Sequence, residues 1–331
     1  MNNVIENLKI KVKDNKKTIV LPESTEERVL KAAEIILKEN IANIILIGNK
    51  EEIESKNIDI SLAKIIDPHN SNLTEKFIEE LYQLRKEKGM TKEEAKELLL
   101  NDNMYYACML VKDNYADGAV SGACHSTSNT LRPALQILKT APNTELVSSF
   151  FLMSIPNCEY GENGTFVFAD CGLVQNPTSK ELACIAKESA DSFRLLIGKE
   201  PLVAMLSHST KGSAKHVDVD KVIEANKIAN EQYKEYIIDG ELQLDAAIVK
   251  EIAKIKSPDS KVAGKANVLI FPDLDSGNIG YKLVERLAKA KAFGPITQGM
   301  SKPVNDLSRG SSIEDIVGTI LITIIQANKG V

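Results

Sequence analysis

The sequence of 331 residues has no tryptophan and only five cysteines, which are Cys108, Cys124, Cys158, Cys171 and Cys184. Their number is odd, their spacing is wide and no CxxC pair occurs, so the sequence predicts neither a disulfide framework nor a zinc site. The four histidines never occur at the spacing of metal ligands. We therefore expect no metal site.

Long hydrophobic runs are also absent. The longest apolar run near the end, IVGTILITII at 316–325, is too short to span a bilayer. The first residues are polar and rich in lysine, without the apolar segment of a signal peptide. These features predict a cytoplasmic protein that does not contact a membrane.

The chain has no excess of positive charge, because 41 Lys and Arg residues against 46 Asp and Glu residues give a net charge of −5. A general nucleic-acid partner is therefore not expected. An anionic ligand would need positive charge gathered at one place. The length favours about two domains, and 43% hydrophobic residues are enough for ordinary cores.

Three common motifs of nucleotide and ester chemistry are missing. The sequence contains no GxxxxGK[ST], no GxGxxG and no GxSxG. A P-loop, a standard dinucleotide-binding turn and a hydrolase nucleophile elbow are therefore excluded.

A repeated alternation of short apolar runs and amphipathic segments dominates the chain. KTIVLPEST leads into EERVLKAAEIILKEN, and NVLIFPDLDSGN leads into IGYKLVERLAKAKA. This pattern predicts an α/β fold with mostly parallel sheets, in which ligands bind beyond the carboxyl ends of the strands. Weak breaks in the pattern occur at 140–145 and 291–296.

The turn SGACHSTSNTLRP at 121–133 offers small residues and hydroxyl groups at the start of a helix. Such a start suits a phosphate, which Ser126 and Thr127 would contact and Arg132 would clamp. An ordinary helix cap with a surface arginine explains the same residues equally well.

Polar groups are densest in the segment GPITQGMSKPVNDLSRGSSIEDIVG at 294–318. Ser308, Arg309 and Asp315 can converge there at the start of one apolar helix. Two capping boxes are possible, and Ser311 with Glu314 fits the usual pattern better than Ser312 with Asp315. We therefore expect Asp315 to be available for chemistry, although an acidic residue in a first helical turn needs no such role.

Several reactive side chains have plainer explanations. His125, His208 and His216 lie in turns after strands, and we interpret each as a hydrogen-bonded loop residue rather than a base. Cys124 and Cys171 have no activating neighbour that the sequence fixes, so we interpret both as structural.

The blocks SGACHSTSNTLRPALQILKTAP, STKGSAKHVDVDKV, PDLDSGNIGYKLVERLAKA and GPITQGMSKPVNDLSRGSSIEDIVG closely resemble the phosphate acetyltransferases. The likeness extends from about Thr18 to about Gln326. It implies a reversible reaction in which acetyl-CoA and inorganic phosphate give acetyl phosphate and CoA. In this reaction CoA is a substrate, and no metal and no bound cofactor take part.

The resemblance assigns a role to each group of the densest segment. Asp315 would be the base that takes the proton from the CoA thiol. Ser308 would donate a hydrogen bond to the carbonyl oxygen, and Arg309 would hold the phosphate. Arginines that bind CoA or phosphate would be Arg132, Arg85, Arg28 and Arg286.

The resemblance also implies an architecture like that of isocitrate and isopropylmalate dehydrogenases. One three-layer α/β domain would comprise 1–145 plus 296–331, and an inserted α/β domain would comprise 146–295. The active site would lie in the cleft between them, and the protein would be a homodimer.

Three alternatives stay open at this point. The same chemistry could act on a longer acyl chain, such as butyryl, because the related phosphate butyryltransferases share the fold and the general chemistry, although they typically lack this full set of blocks. A domain that only senses phosphate or CoA is disfavoured by the intact Ser308, Arg309 and Asp315. A dehydrogenase of related architecture would need a nicotinamide site and metal-binding aspartates, and the sequence shows neither.

Overall fold

The computed structural model describes residues 4–13, 15–142, 144 and 146–328. The chain divides into two compact units. The first unit comprises Ile5–Pro142 and Met300–Val331, and the second comprises Met1–Val4 and Asn143–Gly299.

Strands and helices alternate along most of the chain. The strands are β1 (Thr18–Leu21), β2 (Asn43–Ile47), β3 (Lys64–Ile66), β4 (Gly118–Ser121), β5 (Ser148–Ser154), β6 (Thr165–Ala169), β7 (Leu202–Leu206), β8 (Ile237–Leu242), β9 (Val268–Ile270), β10 (Lys291–Gln298) and β11 (Val304–Asp306). The helices are α1 (Val4–Val12), α2 (Glu27–Lys38), α3 (Lys50–Glu54), α4 (Thr74–Arg85), α5 (Lys92–Asn101), α6 (Asn103–Lys112), α7 (Thr127–Ile137), α8 (Ser179–Ile197), α9 (Val217–Gln232), α10 (Leu244–Ile248), α11 (Lys250–Lys256), α12 (Leu274–Leu287) and α13 (Ile313–Asn328).

The first unit is built on a five-stranded sheet in the order β11-β4-β1-β2-β3, and all of its pairings are parallel. From β1 the chain moves outward through β2 to β3, then crosses back over the sheet to β4 and β11. Right-handed crossovers in opposite directions place their helices on opposite faces. Accordingly α2 packs with α13, whereas α4 and α6 pack with α7.

The strands of this sheet are apolar because helices cover both faces. Every residue of β4 is buried, and so are Ile19, Val20 and Leu21 of β1. A strand that is covered on both sides has no need for polar alternation, which explains the near-continuous apolar runs of the sequence.

The second unit contains a six-stranded sheet in the order β10-β5-β6-β9-β7-β8. The pairings from β6 to β8 are parallel, and β5 is antiparallel to both of its neighbours. The predicted fold class, α/β with mostly parallel sheets, is thus confirmed. No helix in the described part of the chain is both long and apolar enough to cross a membrane.

Candidate active site

Two loops of the first unit leave the same edge of its sheet. The α7 loop (residues 122–126) follows β4, and the α13 loop (residues 307–312) follows β11. Since β4 and β11 are parallel neighbours, both loops start at adjacent carboxyl ends. This is the place where α/β sheets bind ligands, and each loop leads directly into the N-terminus of a helix.

The buried carboxylate of Glu23 shapes the α7 loop. Its Oε2 accepts the backbone N–H groups of Gly122 and Ala123 at 2.9 and 2.8 Å. Its Oε1 accepts the N–H of Cys124 at 3.0 Å and lies 2.7 Å from Nδ1 of His125. A buried carboxylate is stable only when such donors replace water, so Glu23 and this loop conformation depend on each other.

The guanidinium of Arg28 joins the two loops. Its Nη1 donates to the carbonyl oxygens of Arg309 and Ser311, both at 2.9 Å, and its Nη2 donates to the carbonyl of Ala123 at 2.9 Å. Its Nε donates to Glu26, and this bond raises the pKa of Arg28 above its ordinary value. The planar guanidinium presents several N–H donors in fixed directions, so it can bond several fixed carbonyl oxygens at once. The single ammonium group of a lysine lacks this geometry.

A second connection between the two loops is the close approach of the Gly122 backbone to the Asp306 side chain. Gly122 has a φ of 112°, and a Cβ placed there would lie 2.2 Å from Oδ1 of Asp306. The same carboxyl group accepts the hydroxyl of Thr127, the first residue of α7, at 2.7 Å on Oδ2. Only glycine fits this position, because both the φ angle and the space exclude a side chain.

Asp306 is an unusual carboxyl group because it is 1% exposed and has no cationic partner among the described residues. Burial raises its pKa to about 6, and the negative charge of Glu23 acts in the same direction. The hydroxyl of Thr127 and the N–H of Leu307 oppose this shift without cancelling it. Near neutral pH the group can therefore gain or lose a proton.

Ser308 and Arg309 lie at the exposed tip of the α13 loop. The carbonyl of Ser308 accepts the N–H of Ser311 at 2.9 Å, which closes a tight turn. The Oγ of Ser308 accepts the N–H of Gly310 at 3.3 Å and keeps its proton for another acceptor. The Arg309 backbone is held by Arg28, and its side chain is open to solvent.

Asp315 takes part in capping α13, so the expected capping pair of Ser311 and Glu314 is wrong. The capping box is formed by Ser312 and Asp315: Oδ2 of Asp315 accepts the N–H and the hydroxyl of Ser312, both at 2.7 Å. The N–H of Asp315 bonds Oγ of Ser312 at 3.2 Å in return. The physical reason is the start of α13 at Ile313, which makes Ser312 the cap and Asp315 its partner.

A cavity of about 620 Å³ opens among α4, α5, α6 and α7 in the first unit. Three cationic side chains line it, those of Arg85, Lys88 and Arg132. Tyr105, Gln136 and the acidic residues Glu94, Glu97 and Asp102 line it as well. The Tyr105 hydroxyl donates to Gln136 at 3.0 Å. Nε of Arg85 is buried without a hydrogen-bond partner among the described residues. A volume of this size fits a small organic ligand.

The structure therefore places most predicted site residues in the first unit. Ser308, Arg309 and Asp315 share the α13 loop and the first turn of α13, and Arg28 contacts that loop. The exposed Ser126 is the cap of α7 and accepts the N–H of Asn129 at 3.4 Å. Arg286 belongs to the second unit, near the end of α12, where its side chain is 74% exposed.

Sequence reasoning missed Glu23 and Asp306. Glu23 lies 101 residues before Cys124, so no local pattern links the two. Its position two residues after β1 was nevertheless a signal, because the carboxyl ends of neighbouring parallel strands meet at one edge. Asp306 offered the same signal as the last residue of β11.

Comparisons with known proteins agree with this description. The model of the family described as phosphate acetyl/butaryl transferase matches residues 3–324. A phosphate acetyltransferase from Thermoanaerobacterium thermosaccharolyticum is 59% identical over 326 residues, which cover 98% of this chain and 99% of the relative. A solved phosphotransacetylase from Streptococcus pyogenes is 45% identical with a TM-score of 0.91, and 99% of each chain is covered.

A more distant structure supports the fold alone. It is a protein from Salmonella typhimurium described as a 4-hydroxythreonine-4-phosphate dehydrogenase, 11% identical with a TM-score of 0.55. The match covers 95% of this chain and 100% of that one. The expected likeness to dehydrogenase architecture is confirmed at this level.

The fold, the paired loops and these relatives together define an α/β acyltransferase. More narrowly, the chain belongs to the phosphate acetyl/butaryl transferase family.

The raised pKa of Asp306 makes a prediction about stability. Because the native pKa of about 6 exceeds the ordinary value of 3.8, the folded protein binds this proton more tightly than the unfolded chain does. The contribution of Asp306 to stability should therefore decrease as the pH rises from about 4 to about 6, by up to roughly 3 kcal/mol. Asp306→Asn should remove this loss, as measured by urea unfolding at a series of pH values.

Asp59 provides a control for this experiment. Its exposed carboxylate has a pKa that the Ser61 hydroxyl lowers, so Asp59→Asn cannot remove a loss of stability with rising pH. Equal pH dependence of the wild type and Asp306→Asn would contradict the assignment.

Proposed function

We propose that this chain transfers acetyl groups reversibly between CoA and inorganic phosphate. The observation that carries the proposal is the junction of the α7 loop and the α13 loop through Arg28. It gathers Ser308, Arg309 and Asp315 beside the N-terminus of α7. The relatives that match almost the whole chain are named phosphate acetyltransferases, which supports acetyl as the group that is transferred.

In this proposal the phosphate binds to Arg309 and to the start of α7. The Arg309 guanidinium is exposed, and two parallel N–H bonds from such a group suit a phosphate oxygen pair. Ser126 offers its hydroxyl proton, because its oxygen is the part that accepts the helix N–H. Thr127 offers only its backbone N–H, since its hydroxyl already donates to Asp306.

Asp315 acts as the base for the thiol of CoA. The N–H and hydroxyl of Ser312 both bond Oδ2 and fix the carboxylate, which leaves Oδ1 to accept a proton. The thiol proton moves to Oδ1 while the sulfur atom forms a bond to the carbonyl carbon of acetyl phosphate. The carbon–oxygen bond to phosphate then breaks, and phosphate leaves with that electron pair.

Ser308 stabilises the negative charge that develops on the carbonyl oxygen during this attack. Its Oγ accepts from Gly310, so the hydroxyl proton points elsewhere and can be donated. A donor held in place before the reaction needs little rearrangement in the transition state, and such donors typically contribute about 3 kcal/mol.

The cavity with Arg85, Lys88 and Arg132 receives a phosphorylated part of CoA. Its two arginines and its lysine can pair with phosphate oxygens, beside the three acidic side chains that also line it. The unpartnered Nε of Arg85 supports this assignment, because a buried donor is costly until an acceptor arrives.

The remaining expectations stay predictions. They include a role for Arg28 and Arg286 in substrate binding, function without metal or cofactor, a cytoplasmic location and a homodimer. Arg28 already makes four hydrogen bonds within the protein, so its first contribution in this proposal is to position the loops.

A pair of variants tests the role of Asp315. Asp315→Asn removes the base, and we expect kcat to fall by roughly 10²–10⁴ for acetyl-CoA formation from CoA and acetyl phosphate. Ser312→Ala is the matched control, because it breaks the same capping box, at a cost of about 1 kcal/mol, but keeps the carboxylate. Its kcat should fall far less.

The comparison separates catalysis from helix capping. If both variants lose activity equally, Asp315 only caps α13 and the base assignment is wrong. Thermal unfolding of the two variants should show similar losses of stability.

Two further variants test the role of the cavity in binding CoA. Arg132→Ala and Arg85→Ala each remove a charge-assisted hydrogen bond of roughly 1.5–3 kcal/mol, which corresponds to about a 10- to 100-fold rise in KM for CoA. The KM for acetyl phosphate should change little. Arg194→Ala serves as a control, because this arginine of the second unit already pairs with Glu200. An unchanged KM for CoA in both cavity variants would contradict the assignment.

A further inference from the structure

Three potential metal ligands of different chemistry converge beside the α7 loop. They are Oε1 of Glu23, Sγ of Cys124 and Nδ1 of His125, and all three atoms lie within 4.8 Å of one another. The sulfur lies 3.2 Å from Oε1 and 3.5 Å from Nδ1, and Nδ1 lies 2.7 Å from Oε1. The proposed acyl transfer uses none of these three side chains.

These separations are close to those of a zinc coordination sphere. Bonds of about 2.3 Å to sulfur and about 2.0–2.1 Å to nitrogen or oxygen put tetrahedral ligands about 3.3–3.6 Å apart. The pairs that include sulfur need almost no movement, and only the Nδ1 and Oε1 atoms must separate further. His125 can supply this movement, because its side chain is 53% exposed and lies on a loop.

The hydrogen bonds of Glu23 leave room for a cation. Oε2 takes the N–H groups of Gly122 and Ala123, and Oε1 takes the N–H of Cys124. The other two contacts of Oε1 are those from the Cys124 thiol and the His125 ring. A metal ion at Oε1 replaces those two contacts together, so the carboxylate keeps its backbone bonds and the loop keeps its shape.

We propose that Glu23, Cys124 and His125 form a binding site for a thiophilic divalent cation such as Zn²⁺. Binding replaces the thiol proton, which leaves to solvent, and requires the His125 proton to reside on Nε2. The ligands are a thiolate, an imidazole and a carboxylate, a set that favours zinc or cobalt over magnesium or calcium. Three protein ligands leave one coordination position for water, as in exchangeable rather than structural zinc sites.

The surroundings combine a fixed ligand with two adaptable ones. The Glu23 side chain is 2% exposed and held by three backbone N–H groups, whereas Cys124 and His125 are exposed to incoming ions. The nearby charge of Arg28 is partly balanced by its own ion pair with Glu26 at 2.9 Å. The cation would lie next to Ser126, the cap of α7.

This site departs from the expectation of no metal that the sequence alone supports. Cys124 and His125 are adjacent, which matches no familiar zinc spacing, and the third ligand lies about 100 residues earlier. The inference does not depend on the proposed acyl transfer, because binding can be measured without turnover.

Cobalt absorption tests the site directly. The full chain, freed of metal by a chelator that is then removed, is titrated with Co²⁺. We expect one equivalent to produce a thiolate-to-cobalt charge-transfer band in the near ultraviolet, which Zn²⁺ abolishes and Mg²⁺ does not. Cys124→Ser should lose the band, and His125→Gln should weaken cobalt binding at least tenfold.

Two controls make the result specific. Cys158→Ser removes a partly exposed thiol of the second unit and should keep the band. His208 and His216, whose ring centroids are 6.4 Å apart, can bind cobalt without sulfur, so the thiolate band rather than total binding decides. Absence of the band in the wild type, or its persistence in Cys124→Ser with native-like unfolding, would overturn the proposal.

Discussion

The candidate site depends on a pair of opposite charges that follow β1. Glu23 gathers backbone N–H groups of the α7 loop, and Arg28 gathers carbonyl oxygens of both loops. Loops cannot satisfy their polar backbone groups within a sheet, so these two side chains take the place of the missing backbone partners. The acidic side chain of Glu23 accepts hydrogen bonds from backbone N–H groups, and the basic side chain of Arg28 donates hydrogen bonds to backbone carbonyl oxygens. The conformations of both loops follow from this arrangement.

Several residues to which the proposed function gives a chemical role also have a structural one. Asp315 caps α13 through Ser312, Thr127 ties α7 to Asp306, and Ser126 caps α7. A side chain fixed by one hydrogen bond offers its remaining donors or acceptors in a defined direction. Such preorganisation favours acyl transfer, because the groups need not be ordered as the transition state forms.

The sequence predicted the parts that depend on local periodicity. Near-continuous apolar strands and amphipathic helices indicated parallel α/β sheets, and the rule for carboxyl ends selected the turns that contain Ser126 and Ser308. It could not predict the order β11-β4-β1-β2-β3, because strand order depends on packing between segments far apart in the chain. The roles of Glu23 and Asp306 depend on that order. The expected capping residue, Ser311, required α13 to begin at residue 312. The helix begins one residue later, at Ile313, so Ser312 is the cap and Asp315 is its partner.

The most direct test of acetyl transfer is the initial rate of thioester formation from CoA with acetyl phosphate and, in parallel, with butyryl phosphate. A chelator keeps any bound metal ion out of the reaction. The account predicts rapid formation of acetyl-CoA and at least a tenfold slower reaction with butyryl phosphate. Preference for butyryl phosphate would contradict the acetyl assignment, and no reaction of the folded protein with either would contradict the proposed function.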